Sequence, residues 1–352
     1  MTGNEVPFKI ALVSESTASL AMLLMHINYA GKLKQQLGNA KIDFYADWAD
    51  EIKKNIIEDS AIFDSVRGMD KAFPCGDYDV SLRLAYLPTV LSADGCNKDK
   101  MLKAIVLASE DLRNAVSTRE FFYADTHYYD SNIFIWQFLN GNNFLNSLDV
   151  GGYAGVQKDA YHFSLTSAES ADVLRGFEID GRPFITIRTN GCDNALPQSD
   201  VGKWRNWEKL LALVRTDFPQ YNVIQLGECV AESVCGVAAN LSGRASMSEL
   251  KWLLENAAVH IDTESSYVHL RNVLTDSPSV VLWGPHPREY FALEGNVNIW
   301  KKTACPHWCM EFSDSWRDSC LFQKYPACCM DGIGVADVYG EVQNLLLRSR
   351  EE

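Results

Sequence analysis

Residues 259–285 constrain the fold of this chain more than any other stretch. They begin with a strand-like run, 259–262, and a short polar turn follows it. A helical pattern with apolar side chains at i, i+3 and i+7 covers 267–274, and a second apolar run covers 279–283 before Gly-Pro. Strand, helix and strand at this spacing predict a βαβ unit with a parallel sheet.

The polar turn inside this unit is the first candidate site. In open parallel sheets, ligands bind outside the carboxyl ends of the strands. The N–H groups at the start of the next helix favour an anion such as phosphate. The same residues also fit an ordinary surface turn with serine as the helix N-cap. The candidate residues of the turn are Asp262, Thr263, Glu264, Ser265 and Ser266.

The length and charge of the chain limit its number of domains and the kinds of partner it can bind. With 352 residues the chain is long enough for two domains, each with its own core. A formal net charge of −14 argues against a nucleic acid polymer as partner. No apolar run is long enough to cross a bilayer, and the first residues lack the pattern of a signal peptide. We therefore expect a cytoplasmic protein, at most peripheral at the inner membrane.

The first half of the chain alternates strands and helices. The predicted strands are 8–15, 41–45, 62–66 and 78–86, and the predicted helices are 17–36, 48–57 and 101–116. This alternation indicates a first Rossmann-like domain over residues 1–165. It contains neither G-x-G-x-x-G nor a Walker-type phosphate loop, which excludes both of those nucleotide sites.

An aromatic segment, 121–162, interrupts this alternation. In the sequence, phenylalanine and tyrosine residues flank Asp125, His127 and Asp130. Aromatic faces beside carboxylates and amides are typical of a sugar-binding cleft. A buried helix with a polar end has the same composition, so both interpretations stay open.

The second half, 166–334, has the same alternation. Strands are predicted at 184–188 and 222–226, with a helix over 203–214 between them. Ser246 and Glu249 form a capping-box pattern ahead of another helix. A final amphipathic helix lies within 335–352.

Half of the ten cysteines lie in a Cys-rich segment, 305–330. Four thiolates suit a structural zinc or iron. Buried reduced thiols or a disulfide are the alternatives, and an intracellular chain of this size favours reduced thiols. The candidate ligands are Cys305, Cys309, Cys320, Cys328 and Cys329.

As a whole string, D-x-E-x-x-x-V-H-L followed by S-V-V-L-W-G-P resembles the donor-nucleotide loop of family 9 glycosyltransferases, the heptosyltransferase-like enzymes. Glu264 stands where that family commonly has glycine, and His286 stands where it has threonine. Trp283 replaces phenylalanine. His269 lies farther from Asp262 than the family's histidine does. The resemblance covers roughly residues 184–340, and upstream only the topology matches.

The resemblance implies an α/β protein of GT-B architecture, with two Rossmann-like domains facing across a cleft. It implies inverting transfer of a heptose-like sugar from a nucleotide diphosphate sugar, by direct displacement and without a catalytic cofactor or metal. The implied donor is similar to ADP-heptose, and the acceptor is a glycan, of lipopolysaccharide type, or a protein. In this architecture the final helix returns toward the first domain.

The resemblance also assigns roles to residues. Lys203 is the counterpart of a lysine that contacts donor phosphate, where a cation stabilises the charge of the leaving group. Glu228 or Glu264 would orient the nucleoside. Glu232 lies close to Glu228 in the sequence and qualifies equally for that role. His269 would support the loop.

The family's catalytic aspartate, the base that deprotonates the acceptor, is absent after the first strand. Glu15 or Asp125 is the candidate base in its place. Some protein heptosyltransferases hold iron with a cysteine finger, and the Cys329-Met330 end of this chain is similar to it.

Two other functions remain open from sequence. The missing aspartate and the altered loop are compatible with a GT-B protein that has no catalytic activity and serves as a binding or assembly protein. A nucleotide-sugar epimerase or hydrolase would also use this frame, because fold alone does not fix chemistry.

Overall fold

The structure is a computed structural model. It describes residues 7–14, 19–69, 74–85, 87–117, 137–167, 173, 176–177, 179–189, 202–301, 320 and 329–348. The chain divides into two compact units, residues 1–165 and 166–352, each described by itself below.

The first unit is built on a five-stranded sheet. Its strands are β1 (Phe8–Ser14), β2 (Ala40–Ala46), β3 (Ser65–Arg67), β4 (Val80–Leu84) and β5 (Pro88–Ser92). Its α-helices are α1 (Leu20–Leu37), α2 (Asp50–Ile52), which a π-helical turn at Lys53–Glu58 continues, and α3 (Lys100–Ser117). Short 3-10 turns lie at Cys75–Asp77, Cys96–Lys98 and Val150–Gly152.

The strand order in this sheet is β3-β2-β1-β4-β5. All neighbours are parallel except β4 and β5, which are antiparallel. The predicted strands and helices of this half are confirmed, with ends shifted by a few residues. The sequence did not predict β5, because an edge strand that begins with Pro88 and is only half-buried lacks the apolar pattern of a central strand.

His26 connects α1 to the carboxyl ends of two strands. Its Nδ1 lies 3.1 Å from Oγ of Ser14, and its Nε2 lies 3.2 Å from the carbonyl oxygen of Ala85. A carbonyl only accepts, so Nε2 carries the proton and Nδ1 accepts from the Ser14 hydroxyl. Complete burial lowers the pKa of His26 to about 4, although the hydrogen bond to Ala85 acts in the opposite direction. The imidazole is therefore neutral in the folded protein at neutral pH.

The second unit is built on a six-stranded sheet of order β11-β10-β9-β6-β7-β8, in which every pair is parallel. Its strands are β6 (Phe184–Arg188), β7 (Asn222–Leu226), β8 (Ala239–Asn240), β9 (His260–Thr263), β10 (Ser279–Leu282) and β11 (Val297–Ile299). Its helices are α4 (Trp207–Asp217), α5 (Met247–Asn256), α6 (Ser266–Leu274), α7 (Arg288–Phe291) and α8 (Val335–Arg348). In the described part of the chain, no helix combines the length and apolarity that crossing a membrane requires.

One face of this sheet carries the apolar core of the unit. Side chains of β6, β9 and β10 pack there with the apolar stripe of α8. They include Ile187, Ile261, Val280, Val338, Val342 and Leu346, all fully buried. The final helix thus contributes to the core of the second unit. Its predicted return toward the first domain stays a prediction.

The helix predicted over 203–214 begins later than the sequence suggests. In the structure α4 starts at Trp207, because Trp204 is held outside the helix. The Trp204 indole nitrogen donates to the Ile333 carbonyl at 2.9 Å, and its ring packs edge-on against Trp207. The spacing of the two tryptophans mimics a helical repeat, which explains the wrong boundary.

Arg271 fixes the position of α6. Its fully buried guanidinium donates to the carbonyls of Leu254 and Ala257 at the end of α5, and to the carbonyl of Ser277. A cation at a helix carboxyl end satisfies carbonyls that have no intrahelical partner. Burial lowers the pKa of Arg271 to about 10, so it stays charged at neutral pH. The last turn of α6 is therefore held against the end of α5 by a buried cation.

The buried neutral His26 predicts a pH dependence of stability. Its pKa is about 4 when folded and about 6.5 when unfolded. Its contribution is present above pH 6.5 and is lost as the pH falls toward 4, because only the unfolded state gains the proton. Between pH 7 and 5 we expect the free energy of unfolding to fall about 2 kcal/mol more in the wild type than in His26→Gln.

Urea denaturation at a series of pH values measures this difference. His162→Gln is the comparison, because His162 is solvent-exposed and its backbone N–H, rather than its ring, bonds to Asn28. Burial lowers the pKa of His162 as well, so this variant should change the slope in the same direction as His26→Gln but by less. An equal pH dependence in the wild type and His26→Gln would contradict the role of His26.

Candidate functional site

The carboxyl edge of the second sheet contains a topological switch point. The first strand of this unit, β6, is flanked by β7 on one side and by β9 on the other. Arg188, the last residue of β6, pairs in register with Asp262 of β9 at this point. In open α/β sheets the crevice outside such a point is the usual ligand site.

Asp262 lies beneath this edge and is fully buried. Its Oδ2 accepts a hydrogen bond from the Ser265 hydroxyl and lies 3.2 Å from Nε2 of His260. Its Oδ1 lies 3.6 Å from Nη1 of Arg188. Burial raises the pKa of Asp262, and the charge of Arg188 opposes this shift. The geometry thus gives Asp262 a supporting role, in which it fixes the turn after β9 from below.

His260 completes this support. Its Nδ1 lies 2.9 Å from Oγ1 of Thr186, and its Nε2 faces Asp262. Because a carboxylate accepts, Nε2 carries the proton and Nδ1 accepts from the threonine hydroxyl. Burial lowers the pKa of His260. A chain of hydrogen bonds therefore orients the Asp262 carboxylate from the interior of the sheet.

Arg188 is the central cation of the edge, with a side chain only 3% exposed. Its Nε and Nη2 lie 3.2 and 3.1 Å from Oε2 of Glu228, just after β7. Its guanidinium also lies over the Tyr267 ring, 5.7 Å from the centroid. Arg188 thus fixes the position of Glu228, the residue predicted to orient the nucleoside. Arg188 was not predicted as a site residue, because a strand-end arginine followed by a polar loop has no distinguishing sequence pattern.

The turn after β9 presents a helix N-terminus. Ser265 is the N-cap of the nine-residue helix α6, and its hydroxyl accepts from the Tyr267 N–H at 3.1 Å. Thr263 is buried, and its Oγ1 has no hydrogen-bond partner among the described residues. A helix N-terminus with a buried, unsatisfied hydroxyl beside it can bind an anion. The predicted phosphate turn thus contains a helix N-terminus and an unsatisfied hydroxyl, and its binding of phosphate stays a prediction.

Glu264 and two histidines lie at the same turn. The Glu264 Oε2 lies 2.5 Å from Nδ1 of His286, which follows β10. His269 is buried on α6. Burial alone would raise the pKa of Glu264, but the charges of His286, His269 and Arg188 together hold it below its ordinary value. The carboxylate is therefore ionised at neutral pH.

Lys203 is half-buried and follows a close backbone contact at this edge. Gly202, at φ +71°, lies next to Gly284 after β10. A Cβ on Gly284 would lie 3.5 Å from the Gly202 Cα and 2.8 Å from the Met330 sulfur. The backbone just before Lys203 thus reaches the carboxyl edge where the resemblance places its phosphate contact.

Several predicted site residues lie outside the described residues. These are Glu15, Asp125, Cys305, Cys309 and Cys328. Cys320 and Cys329 are described and half-buried. Within the described ranges, no group of three or more His, Cys, Asp or Glu side chains is arranged to hold a metal.

The buried Arg188–Asp262 contact predicts a large stability effect. Removing one partner of a buried ion pair leaves a buried charge without compensation, which costs about 3 kcal/mol. We expect Arg188→Met to lower the free energy of unfolding of the second unit by this amount. Adding Asp262→Asn should recover part of the loss, because it removes the uncompensated charge.

Chemical denaturation of the single and double variants tests this coupling. Arg205→Met is the matched control, since the Arg205–Asp331 pair is largely exposed and should contribute less than about 1 kcal/mol. Additive losses in the two single variants and the double variant would show that Arg188 and Asp262 do not compensate each other.

The fold is similar to that of solved glycosyltransferases along nearly the whole chain. E. coli ADP-heptose LPS heptosyltransferase II matches with a TM-score of 0.60 and 14% identity, over 97% of this chain and 100% of that chain. TibC of enterotoxigenic E. coli H10407 is described as an iron-containing dodecameric glycosyltransferase. It matches with a TM-score of 0.60 and 14% identity, over 98% of this chain and 78% of that chain. A family 9 glycosyltransferase of Veillonella parvula DSM 2008 matches with a TM-score of 0.55 and 12% identity, over 98% of this chain and 99% of that chain.

Sequence comparison is less informative, since no family model matches the chain and no curated protein matches it. The structural likeness, at 12–14% identity, therefore shows the fold alone. The match covers both units, and each unit has a sheet in which parallel pairs dominate. The chain has the GT-B fold of the heptosyltransferase-like glycosyltransferases, which confirms the predicted fold class and the predicted structural resemblance.

Proposed function

We propose that this protein is an inverting glycosyltransferase that takes its sugar from a nucleotide diphosphate sugar. One observation carries the proposal, the anion site at the switch point of the second sheet. There the N-terminus of α6 and the unsatisfied Thr263 hydroxyl lie beside the buried cation Arg188. A diphosphate needs such N–H donors and positive charge.

The donor that we propose is an ADP-heptose-like nucleotide sugar. A further TibC structure, described as a complex with ADP-D-beta-D-heptose, matches this chain with a TM-score of 0.59 and 14% identity, which supports a nucleotide sugar in this fold. The proposed acceptor is a glycan, of lipopolysaccharide type, or a protein. The proposed location is the cytoplasm, at most peripheral at the inner membrane.

The leaving diphosphate gains negative charge as the sugar is transferred. In our proposal the α6 N-terminus, Thr263 and Lys203 hold this diphosphate, and Glu228, oriented by Arg188, accepts hydrogen bonds from the nucleoside hydroxyls. Such pre-positioned donors stabilise the leaving group without a catalytic metal. The role of the edge is therefore to bind the donor and to stabilise charge.

The acceptor oxygen must lose a proton as it attacks the anomeric carbon and the bond to the diphosphate breaks. We assign this proton to a carboxylate of the first unit, Glu15 or Asp125, which would act as general base. This assignment rests on the sequence, since both residues lie outside the described part of the chain.

Lys203 is the cation whose removal most directly tests donor binding. We expect Lys203→Ala to weaken nucleotide-sugar binding at least tenfold, about 1.4 kcal/mol, with the fold intact. Isothermal calorimetry against a panel of nucleotide sugars and nucleoside diphosphates measures this. Lys209→Ala is the control, because Lys209 is an exposed lysine on α4.

Turnover then separates transfer from the other functions. A transferase releases nucleoside diphosphate only when an acceptor is present, whereas a hydrolase needs water alone and a binding protein releases none. Equal affinity of Lys203→Ala and the wild type would remove Lys203 from the site. Absence of nucleotide binding by the wild type would contradict the proposed function.

For the Cys-rich segment 305–330 we propose a structural zinc or iron. Cysteine thiolates are the ligands that both metals prefer, and TibC is described as iron-containing. We expect elemental analysis of protein purified without chelator to find about one metal per chain. Chelation should loosen this segment and leave the two sheets folded. A metal-free, fully stable protein with reactive thiols would contradict the metal and favour buried thiols.

A further inference from the structure

An acidic side chain, Glu264, belongs to the turn at which the anion site is proposed. Glu264 directly follows β9 and precedes the N-cap of α6. Its backbone N–H donates to the Leu282 carbonyl at 3.3 Å, which ties the ends of β9 and β10 together. Its side chain is 14% exposed and that of His286 is 9% exposed, so their 2.5 Å contact lies within the protein.

Two histidines and one arginine act on this carboxylate. His286 comes from the loop after β10, His269 from α6 and Arg188 from the end of β6. Their electrostatic interactions and the contact with His286 keep the pKa of Glu264 low even though burial opposes ionisation. Side chains of three separate elements thus act on Glu264, and a phosphate at this turn would need the same groups.

A carboxylate and a phosphate use the same donors, and two anions a few ångströms apart repel each other strongly in a buried site. We infer that Glu264 is an internal anion that occupies the phosphate subsite and must be displaced by the diphosphate of the donor. This inference rests on the proposed function, since it requires that the edge binds nucleotide. Its consequence is weak affinity for nucleoside diphosphates and pyrophosphate.

Displacement of Glu264 makes the chain selective among anions. A ligand that carries only phosphate must replace the contact between Glu264 and His286. A ligand with sugar and nucleoside groups has further contacts that offset the loss of that contact. Glu264 would thus favour the complete donor over its diphosphate product, and product release would be assisted by return of the carboxylate.

The test compares Glu264→Gln with the wild type. Glutamine keeps the size and the polar contact to His286 but removes the negative charge. Calorimetry with inorganic pyrophosphate, ADP, GDP and UDP should give at least tenfold tighter binding to the variant, about 1.4 kcal/mol. The double variant Glu264→Gln/His286→Gln should lose most of this gain, because His286 would then be a direct phosphate contact.

Glu294→Gln is the matched control. It changes net charge by the same amount, but Glu294 is exposed and precedes β11, at the opposite edge of the sheet. Unchanged or weaker binding by Glu264→Gln, with the wild type still binding nucleotide, would overturn the internal anion and leave the proposed function standing. Retention of the full gain in the double variant would also overturn it. If neither protein binds any probe, the proposed function fails as well.

Discussion

The buried contact between Arg188 and Asp262 is the interaction on which the second unit depends. The two residues are neighbours in register on β6 and β9, where the direction of the chain across the sheet reverses. The position is also where an α/β sheet opens a crevice. Two opposite charges there are costly to bury and are stable only when hydrogen bonds satisfy both. His260, Ser265 and Glu228 provide those partners.

From this contact the geometry of the edge follows. Asp262 fixes the N-cap serine, the N-cap fixes the start of α6, and Arg271 fixes α6 against α5. The residues that resemblance assigns to ligand binding therefore divide into two groups. Asp262 and Ser265 bond to each other and support the turn from inside, whereas Thr263 and Glu264 are the two to which our proposals assign contact with, or displacement by, a ligand.

Sequence patterns predicted the strands and helices well because central parallel strands are continuous apolar runs. Phe184–Arg188 and Asn222–Leu226 were predicted to the residue. The sequence patterns gave a wrong helix boundary where a single side chain overrides the periodicity. Trp204 bonds to the carbonyl of Ile333, and α4 therefore starts later than predicted.

The site was predicted only in part, as its turn residues form a local string. Arg188 and His286 follow other strands, β6 and β10, and only tertiary structure brings them to that turn. In the sequence, Glu264 and His286, which are in contact in the structure, are two separate departures from the family pattern. No sequence argument joined them, because the two residues follow different strands.

The contact at Gly284 has an evolutionary consequence. A Cβ at this position would lie 2.8 Å from the sulfur of Met330, so the buried but flexible methionine side chain would have to shift. Alanine at 284 is therefore accommodated more easily beside a shorter residue at 330, whereas a shorter residue at 330 alone leaves a cavity. The two positions are therefore coupled, and among descendants of this chain we expect them to change together more often than separately.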